Sequence, residues 1–251
     1  MKKLMAANWK MYKTSAGAEQ TARSLVQAVA ADLPGDREVM VFPPFTAIAS
    51  VVEAFAGNEN FIVGGQNCYP ADEGAFTGEI SPRMLLDLGC RSVLTGHSER
   101  RHILGESDEF VGKKTAFAVQ SGLHTVLCIG ETLEQRESGK LAEVLARQLK
   151  SGLGELENGV NQEVLSVAYE PVWAIGTGKT AGPPEISEAH GLVREILQDI
   201  LPNTGAAIRI LYGGSVKPGN IGEIISLDNV EGVLVGGASL QADSFSQIVL
   251  G

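Results

Sequence analysis

A glutamate, a histidine and a lysine each stand where a short apolar run stops. Val164, Leu165, Val167 and Ala168 lead into Tyr169-Glu170-Pro171, a second run ends in Gly96-His97-Ser98, and a third ends in Asn8-Trp9-Lys10. Near-continuous apolar runs of this length read as parallel strands covered on both faces, and α/β folds carry their chemistry at the carboxyl ends of such strands. Glu170 therefore reads as a base. Pro171 stops its strand by removing a ladder donor and fixing φ. His97 opens a Ser-Glu helix-start pattern. A helix N-terminus disfavours the imidazolium, so a neutral ring that can donate to a carbonyl oxygen is expected. Asn8 and Lys10, two residues apart, share one strand face and Trp9 takes the other. They look into a common mouth if Trp9 packs against helices, although a solvated lysine at a strand end fits the spacing equally. Glu99 reads as the partner of Arg100 or Arg101 rather than as a second acid.

Two further runs end in Tyr212-Gly213-Gly214-Ser215 and Val235-Gly236-Gly237-Ala238. Glycines there let backbone N–H groups approach a ligand, and the helix starts that follow favour an anion. Tight turns would use the same residues, but paired glycines at two adjacent strand ends fit phosphate better. The stretch Val172-Trp173-Ala174-Ile175-Gly176-Thr177-Gly178-Lys179 puts Trp and Ile in a loop, which suits a lid. Two nucleotide motifs in this stretch fail. Gly178-Lys179-Thr180 resembles the end of a P-loop, but Trp173 stands where that motif needs glycine. The Gly176–Ala181 glycine pattern lies too far past its strand and runs into Gly182-Pro183-Pro184. Cys128 has no base near it in sequence and reads as a packing thiol. His102, His124 and His190 stand at helical or strand-start positions without such context.

Eight apolar runs supply the strands needed to position these groups: 3–9, 38–43, 60–64, 91–95, 124–129, 163–169, 207–212 and 230–235. Helical patterns alternate with them, starting at Thr14 or Ser15 and then over 46–56, 81–88, 107–121, 132–150, 185–201, 217–226 and 239–249. Eight alternations without a composition break fit one closed (β/α)8 barrel over 1–251 better than two open sheets. The 66–80 loop is long for a βα connection and carries Tyr69 and Phe76, apolar surface that suits a second copy of the chain.

The chain has 251 residues, 44% of them hydrophobic, enough for a sizeable core. A net charge of −10 and a pI near 4.9 argue against nucleic acid or an anionic membrane as partner. A local set of N–H groups with one lysine can still bind an anion. Three dispersed cysteines (Cys68, Cys90 and Cys128) fit a reducing compartment, and no Cys/His spacing suits a metal. The apolar run Leu4–Ala7 is too short for a signal peptide, and no stretch reaches transmembrane length, so a cytoplasmic location is expected.

Assembled, the chain resembles the triosephosphate isomerase family along its full length. The resemblance rests on Ala7-Asn8-Trp9-Lys10, Gly74-Ala75-Phe76-Thr77-Gly78-Glu79, Gly96-His97-Ser98-Glu99-Arg100-Arg101, the run from Ala168 to Gly178, Tyr212-Gly213-Gly214-Ser215 and Gly236-Gly237. It implies a single (β/α)8 TIM barrel that interconverts dihydroxyacetone phosphate and glyceraldehyde 3-phosphate in glycolysis and gluconeogenesis. It also implies a cytosolic homodimer with no cofactor and no metal. By position it makes Glu170 the general base, His97 the electrophile, Lys10 the nearby cation and Asn8 its pocket neighbour. Gly176, Ser215, Gly236 and Gly237 become the phosphate-binding backbone, Glu99 a supporting residue, and Thr77 the loop-tip residue that reaches the other subunit's site. This pairing of a base with a neutral histidine under a lid is a standard illustration of pKa tuning. The implied reaction removes a proton next to the carbonyl to give an enediolate, which the lid shields from water. Ala181-Gly182-Pro183-Pro184 departs from the arrangement of many members, a difference that bears on lid motion and not on the chemistry. A non-catalytic phosphate-binding barrel would have no use for Glu170, His97 and Lys10 together. Another phosphosugar enzyme on this fold would be expected to show a metal site or an interior Schiff-base lysine.

Overall fold

The computed structural model describes residues 2–156, 161–174 and 181–251. Eight parallel strands close into a barrel in chain order: β1 (Lys3–Asn8), β2 (Arg37–Phe42), β3 (Phe61–Gly65), β4 (Ser92–Thr95), β5 (His124–Ile129), β6 (Leu165–Tyr169), β7 (Arg209–Tyr212) and β8 (Gly232–Val235). Each falls on one of the expected apolar runs to within two residues. Period-two alternation sorts their side chains into two cores. Leu4 and Ala6 point inward to join Met40, Phe42, Leu94 and Cys128. Met5, Ala7 and Trp9 point outward into the larger layer beneath the helices. The Trp9 indole N–H donates to the Ser239 carbonyl at 3.0 Å. That outward placement of Trp9 leaves Asn8 on the inward face.

The helices follow the expected pattern with instructive breaks. Thr14 caps the helix Ser15–Val29, its hydroxyl accepting the Gly17 N–H at 3.4 Å. The continuous helix expected over 132–150 is two helices, Leu133–Glu137 and Leu141–Leu153. Gly139 between them has φ +68, a conformation a helix interior does not admit. The pattern over 217–226 is helical only over Ile221–Ile225, since Pro218-Gly219 takes the chain through a turn first.

The floor of the barrel, at the amino ends of the strands, is polar. The Arg209 guanidinium donates to His124 Nε2 at 3.2 Å and to Ser166 Oγ at 3.3 Å, and ion-pairs with Glu38. His124 Nδ1 lies 3.2 Å from Ser92 Oγ. Because Nε2 faces an obligate donor, the proton sits on Nδ1. Burial, helped by the Arg209 charge, pushes the His124 pKa down to about 3. His190, buried under the helix layer, donates from Nδ1 to the Asn229 carbonyl at 2.7 Å, and burial pushes its pKa down to about 4. Both rings are held neutral in the fold, whereas the unfolded chain protonates them below the ordinary value of 6.5. Their contribution to stability is therefore complete above 6.5 and is lost as pH falls through the window from 6.5 toward 4. Each histidine should cost about 1.4 kcal/mol per pH unit within that window. Urea unfolding at a series of pH values checks this. His124→Gln and His190→Gln should each flatten the slope below neutrality, and an unchanged slope in both refutes the assignment.

Candidate active site

The carboxyl ends of β1, β4, β6, β7 and β8 surround one cavity of about 510 Å3. Asn8, Lys10, His97 and Glu170 line it together with Ser215, Gly236 and Gly237. Every site residue expected at a described strand end therefore reaches the same space. Two expectations do not. Gly176 and the 175–180 part of the lid lie outside the described residues. Thr77 is on the exposed part of the 66–80 loop and does not line this chain's cavity.

Lys10 follows β1 with φ +49, a left-handed turn stabilised by the Asn8 side chain, which accepts the Lys10 N–H at 2.9 Å. The Gln66 amide holds the turn from the 66–80 loop, donating to the carbonyls of Lys10 at 2.8 Å and Phe42 at 2.9 Å. The Lys10 ammonium pairs with Glu99 at 2.7 Å. This corrects the sequence expectation for Glu99: its partner is Lys10, while Arg100 pairs with Glu106 and Arg101 with Asp108. The correction has a geometric cause. The short helix Ser98–His102 turns Glu99 toward β1 and sends both arginines the other way, toward the start of the next helix.

Glu170 is buried, with its backbone N–H donating to the Ile129 carbonyl at 2.7 Å. Its Oε2 accepts the Ser98 N–H at 3.0 Å, and its Oε1 accepts the Ser98 hydroxyl at 3.3 Å. His97 Nε2 stands 3.0 Å from the same Oε1. Burial alone would raise the Glu170 pKa; His97, the Ser98 N–H and Lys10 outweigh it and hold the carboxyl below its ordinary value. The Glu170 carboxyl is thus held ionised and hydrogen-bonded to Ser98 and His97.

At His97, burial disfavours the imidazolium, but the adjacent Glu170 carboxylate prevails and raises the pKa. The helix start expected to keep the ring neutral acts through one hydrogen bond: His97 Nδ1 accepts the Glu99 N–H at 3.3 Å. A lone pair on Nδ1 leaves the proton on Nε2, the atom that faces Glu170 and the cavity. Removing the carboxylate from Nε2 would leave burial and the helix start, and both favour the neutral donor.

Close backbone packing fixes Glu170. A Cβ on Gly130 would lie 1.7 Å from the Glu170 carbonyl oxygen, and one on Gly213 would lie 2.9 Å from Glu170 Cγ. The other side of the cavity is open backbone. Among the described residues, the N–H groups of Gly236 and Gly237 have no hydrogen-bond acceptor, and a Cβ on Gly237 would meet nothing within 4 Å. Such a wall accepts an anion.

Sequence reasoning missed two participants. Ser98 holds Glu170 across 72 residues of chain; its position directly after His97 at a helix start was the available signal. Glu131, fully buried, accepts from the Tyr169 hydroxyl at 3.0 Å and the Trp173 indole at 2.7 Å, and burial raises its pKa. It fastens the chain just beyond Glu170 to the end of β5. Cys128 packs inside the barrel, its thiol pushed well up by burial, as a packing residue should be.

Comparison with known proteins points one way. The family model described as "Triosephosphate isomerase" matches residues 3–250. The chain is similar to a triosephosphate isomerase of Nitratidesulfovibrio vulgaris (strain DSM 19637 / Miyazaki F), with 64% identity over 250 residues and 100% of both chains covered. One from Lawsonia intracellularis is 49% identical over 249 residues, covering 99% of this chain and 98% of the relative. The crystal structure of triosephosphate isomerase from Bartonella henselae superposes with a TM-score of 0.88 at 38% identity, covering 99% of this chain and 98% of that one.

Proposed function

The chain belongs to the triosephosphate isomerase family, and from that premise we propose that Glu170, His97 and Lys10 carry out its reaction in the cavity described above. The reaction is the interconversion of dihydroxyacetone phosphate and D-glyceraldehyde 3-phosphate, a step of glycolysis and gluconeogenesis. One observation carries the assignment of roles. An ionised, buried carboxylate lies 3.0 Å from an imidazole Nε2, in a cavity whose opposite wall is open glycine backbone.

The substrate phosphate binds at Ser215, Gly236 and Gly237, placing the carbonyl end toward β4 and β6. The substrate carbonyl oxygen takes the His97 Nε2–H that Glu170 otherwise accepts at 3.0 Å. Glu170, released from that contact, removes a proton from the carbon beside the carbonyl. His97 and Lys10 stabilise the negative charge that develops on the oxygen, and Glu170 returns the proton to the neighbouring carbon. Asn8 shapes the Lys10 turn, and Glu99 holds the ammonium in position. A coupled assay on purified protein, run in both directions, tests the reading. A folded protein that binds phosphate without interconverting the two triose phosphates would be a binding barrel instead.

A homodimer through the 66–80 loop belongs to the same proposal. Tyr69 and Phe76 stack at 4.3 Å, a loop-specific aromatic pair whose Phe76 is still 42% exposed. Met11 and Tyr12 are 93% and 57% exposed, on the turn that Gln66 ties to this loop. Exposed apolar side chains on both the loop and the turn fit a second copy. Trimming Tyr69–Gly78 to a short Gly/Ser turn should give monomers in sedimentation. Activity should fall, because Thr77 no longer braces the other subunit's Asn8–Lys10 turn. A dimer mass that survives the trimming refutes this interface. A cytoplasmic location is supported by Cys68, Cys90 and Cys128, all buried and unpaired. Among the described residues no helix is long and apolar enough to cross a membrane.

A further inference from the structure

The catalytic cavity has a charge problem. Its ligand carries a phosphate dianion, yet the chain carries a net −10 and the cavity wall holds the Glu170 carboxylate. Lys10 supplies one positive charge, shared with Glu99 at 2.7 Å and committed in the reading above to the carbonyl end of the substrate. Among the described residues one more lysine lines the cavity. Lys217 stands two residues beyond Ser215, on the anion side of the mouth. Its side chain is exposed, and no carboxylate pairs with it among the described residues.

The backbone that carries Lys217 is fixed. Its N–H donates to the Asn220 side chain at 2.7 Å, and its carbonyl accepts the N–H groups of Asn220 at 3.1 Å and Ile221 at 3.2 Å. The Asn220 amide also donates to the Ser215 carbonyl at 3.0 Å, tying Lys217 to the phosphate-side turn. Val216 between them is buried. A hydrogen-bonded turn thus presents at the cavity rim an exposed ammonium that no carboxylate among the described residues pairs with. Lys13 does not share this position: its ammonium is taken by Thr21 and the Leu240 carbonyl and lies over the Trp9 ring.

We infer that Lys217 is the phosphate-capture residue of this site, a cation that draws the substrate dianion to the Ser215–Gly237 wall and takes no part in proton transfer. This rests on the isomerase reading above and adds the group that overcomes the chain's own repulsion. An exposed cation acting at a distance raises capture and leaves the bound complex to react at its own rate. Its effect must also vanish when salt shortens the reach of charge.

The test compares Lys217→Met with Lys150→Met, which makes the same change in net charge at an exposed lysine outside the cavity. At low ionic strength kcat/KM for Lys217→Met should fall about three- to tenfold, with kcat within about twofold of wild type. Raising salt from ~10 mM to ~1 M should close most of that gap. Lys217→Arg should restore capture, and Lys150→Met should match wild type. Calorimetric titration with inorganic phosphate should show Lys217→Met binding about three- to tenfold more weakly. Equal behaviour of Lys217→Met and Lys150→Met, or a kcat/KM deficit that salt does not reduce, overturns the inference. If wild-type protein fails to isomerise triose phosphate, the isomerase reading falls while the phosphate titration still decides the role of Lys217.

Discussion

Glu170→Gln should lower kcat for triose phosphate isomerisation by at least about a hundredfold, the usual scale of a lost general base. The amide keeps the size and shape of the carboxyl and loses its basicity. The resting site adds a second penalty. The groups facing Glu170 include three donors: the Ser98 N–H, the Ser98 hydroxyl and His97 Nε2–H. Glutamine brings an NH2 into that set, so one donor must turn away or His97 must change tautomer. The tautomer change would remove the Nε2 proton on which the electrophile role depends. Binding of inorganic phosphate should stay within about twofold of wild type, because removing basicity leaves the Gly236-Gly237 backbone in place. Steady-state kinetics and phosphate titration on the same preparation check both parts. A variant that turns over at close to the wild-type rate removes Glu170 from its role.

Gly130→Ala should be nearly as damaging without touching any reacting group. The added methyl would sit 1.7 Å from the Glu170 carbonyl oxygen, where carbon–oxygen contacts normally stop at about 3.3 Å. Gly130 cannot yield easily, because the Gln148 amide holds its N–H at 2.7 Å and its carbonyl at 3.2 Å. The displacement therefore falls on the backbone of Glu170 and exceeds an ångström. A shift of that size in a positioned catalytic group costs about a hundredfold. The expected signature is a fall in kcat with circular dichroism retained. Gly219→Ala is the control, at a glycine where a Cβ meets nothing within 4 Å. Full activity in Gly130→Ala would mean that the backbone at this strand end does not set the position of the base.

The barrel was legible because its evidence is local. Eight apolar runs and the glycines, prolines and caps between them are read within windows of about ten residues. The strand-end residues were legible for the same reason, since a polar side chain that ends a buried run is conspicuous without any partner. Pairings across the barrel were not. The Lys10–Glu99 contact joins residues 89 apart, and sequence offered Glu99 two arginines immediately beside it. Ser98 and Gly130 were passed over because their work depends on how closely β4, β5 and β6 approach, a quantity no spacing encodes. His124 looked isolated until the closed sheet set Ser92, Ser166 and Arg209 around it.

That polar floor determines the traffic of the reaction. Arg209, Glu38, His124 and two serines bind one another across the amino end of the barrel, and Leu4, Met40, Phe42 and Leu94 fill the space above them. Among the described residues, the lining of the cavity at the other end shares no residue with this floor. Both triose phosphates then meet the protein at the carboxyl ends of the strands. A molecule that has reacted blocks the next one until it leaves, so each triose phosphate should act as a competitive inhibitor of the other's conversion. The proton that the proposed mechanism leaves on Glu170 between its two transfers lies at that same end, and its exchange with solvent should be governed by how long the bound molecule stays there.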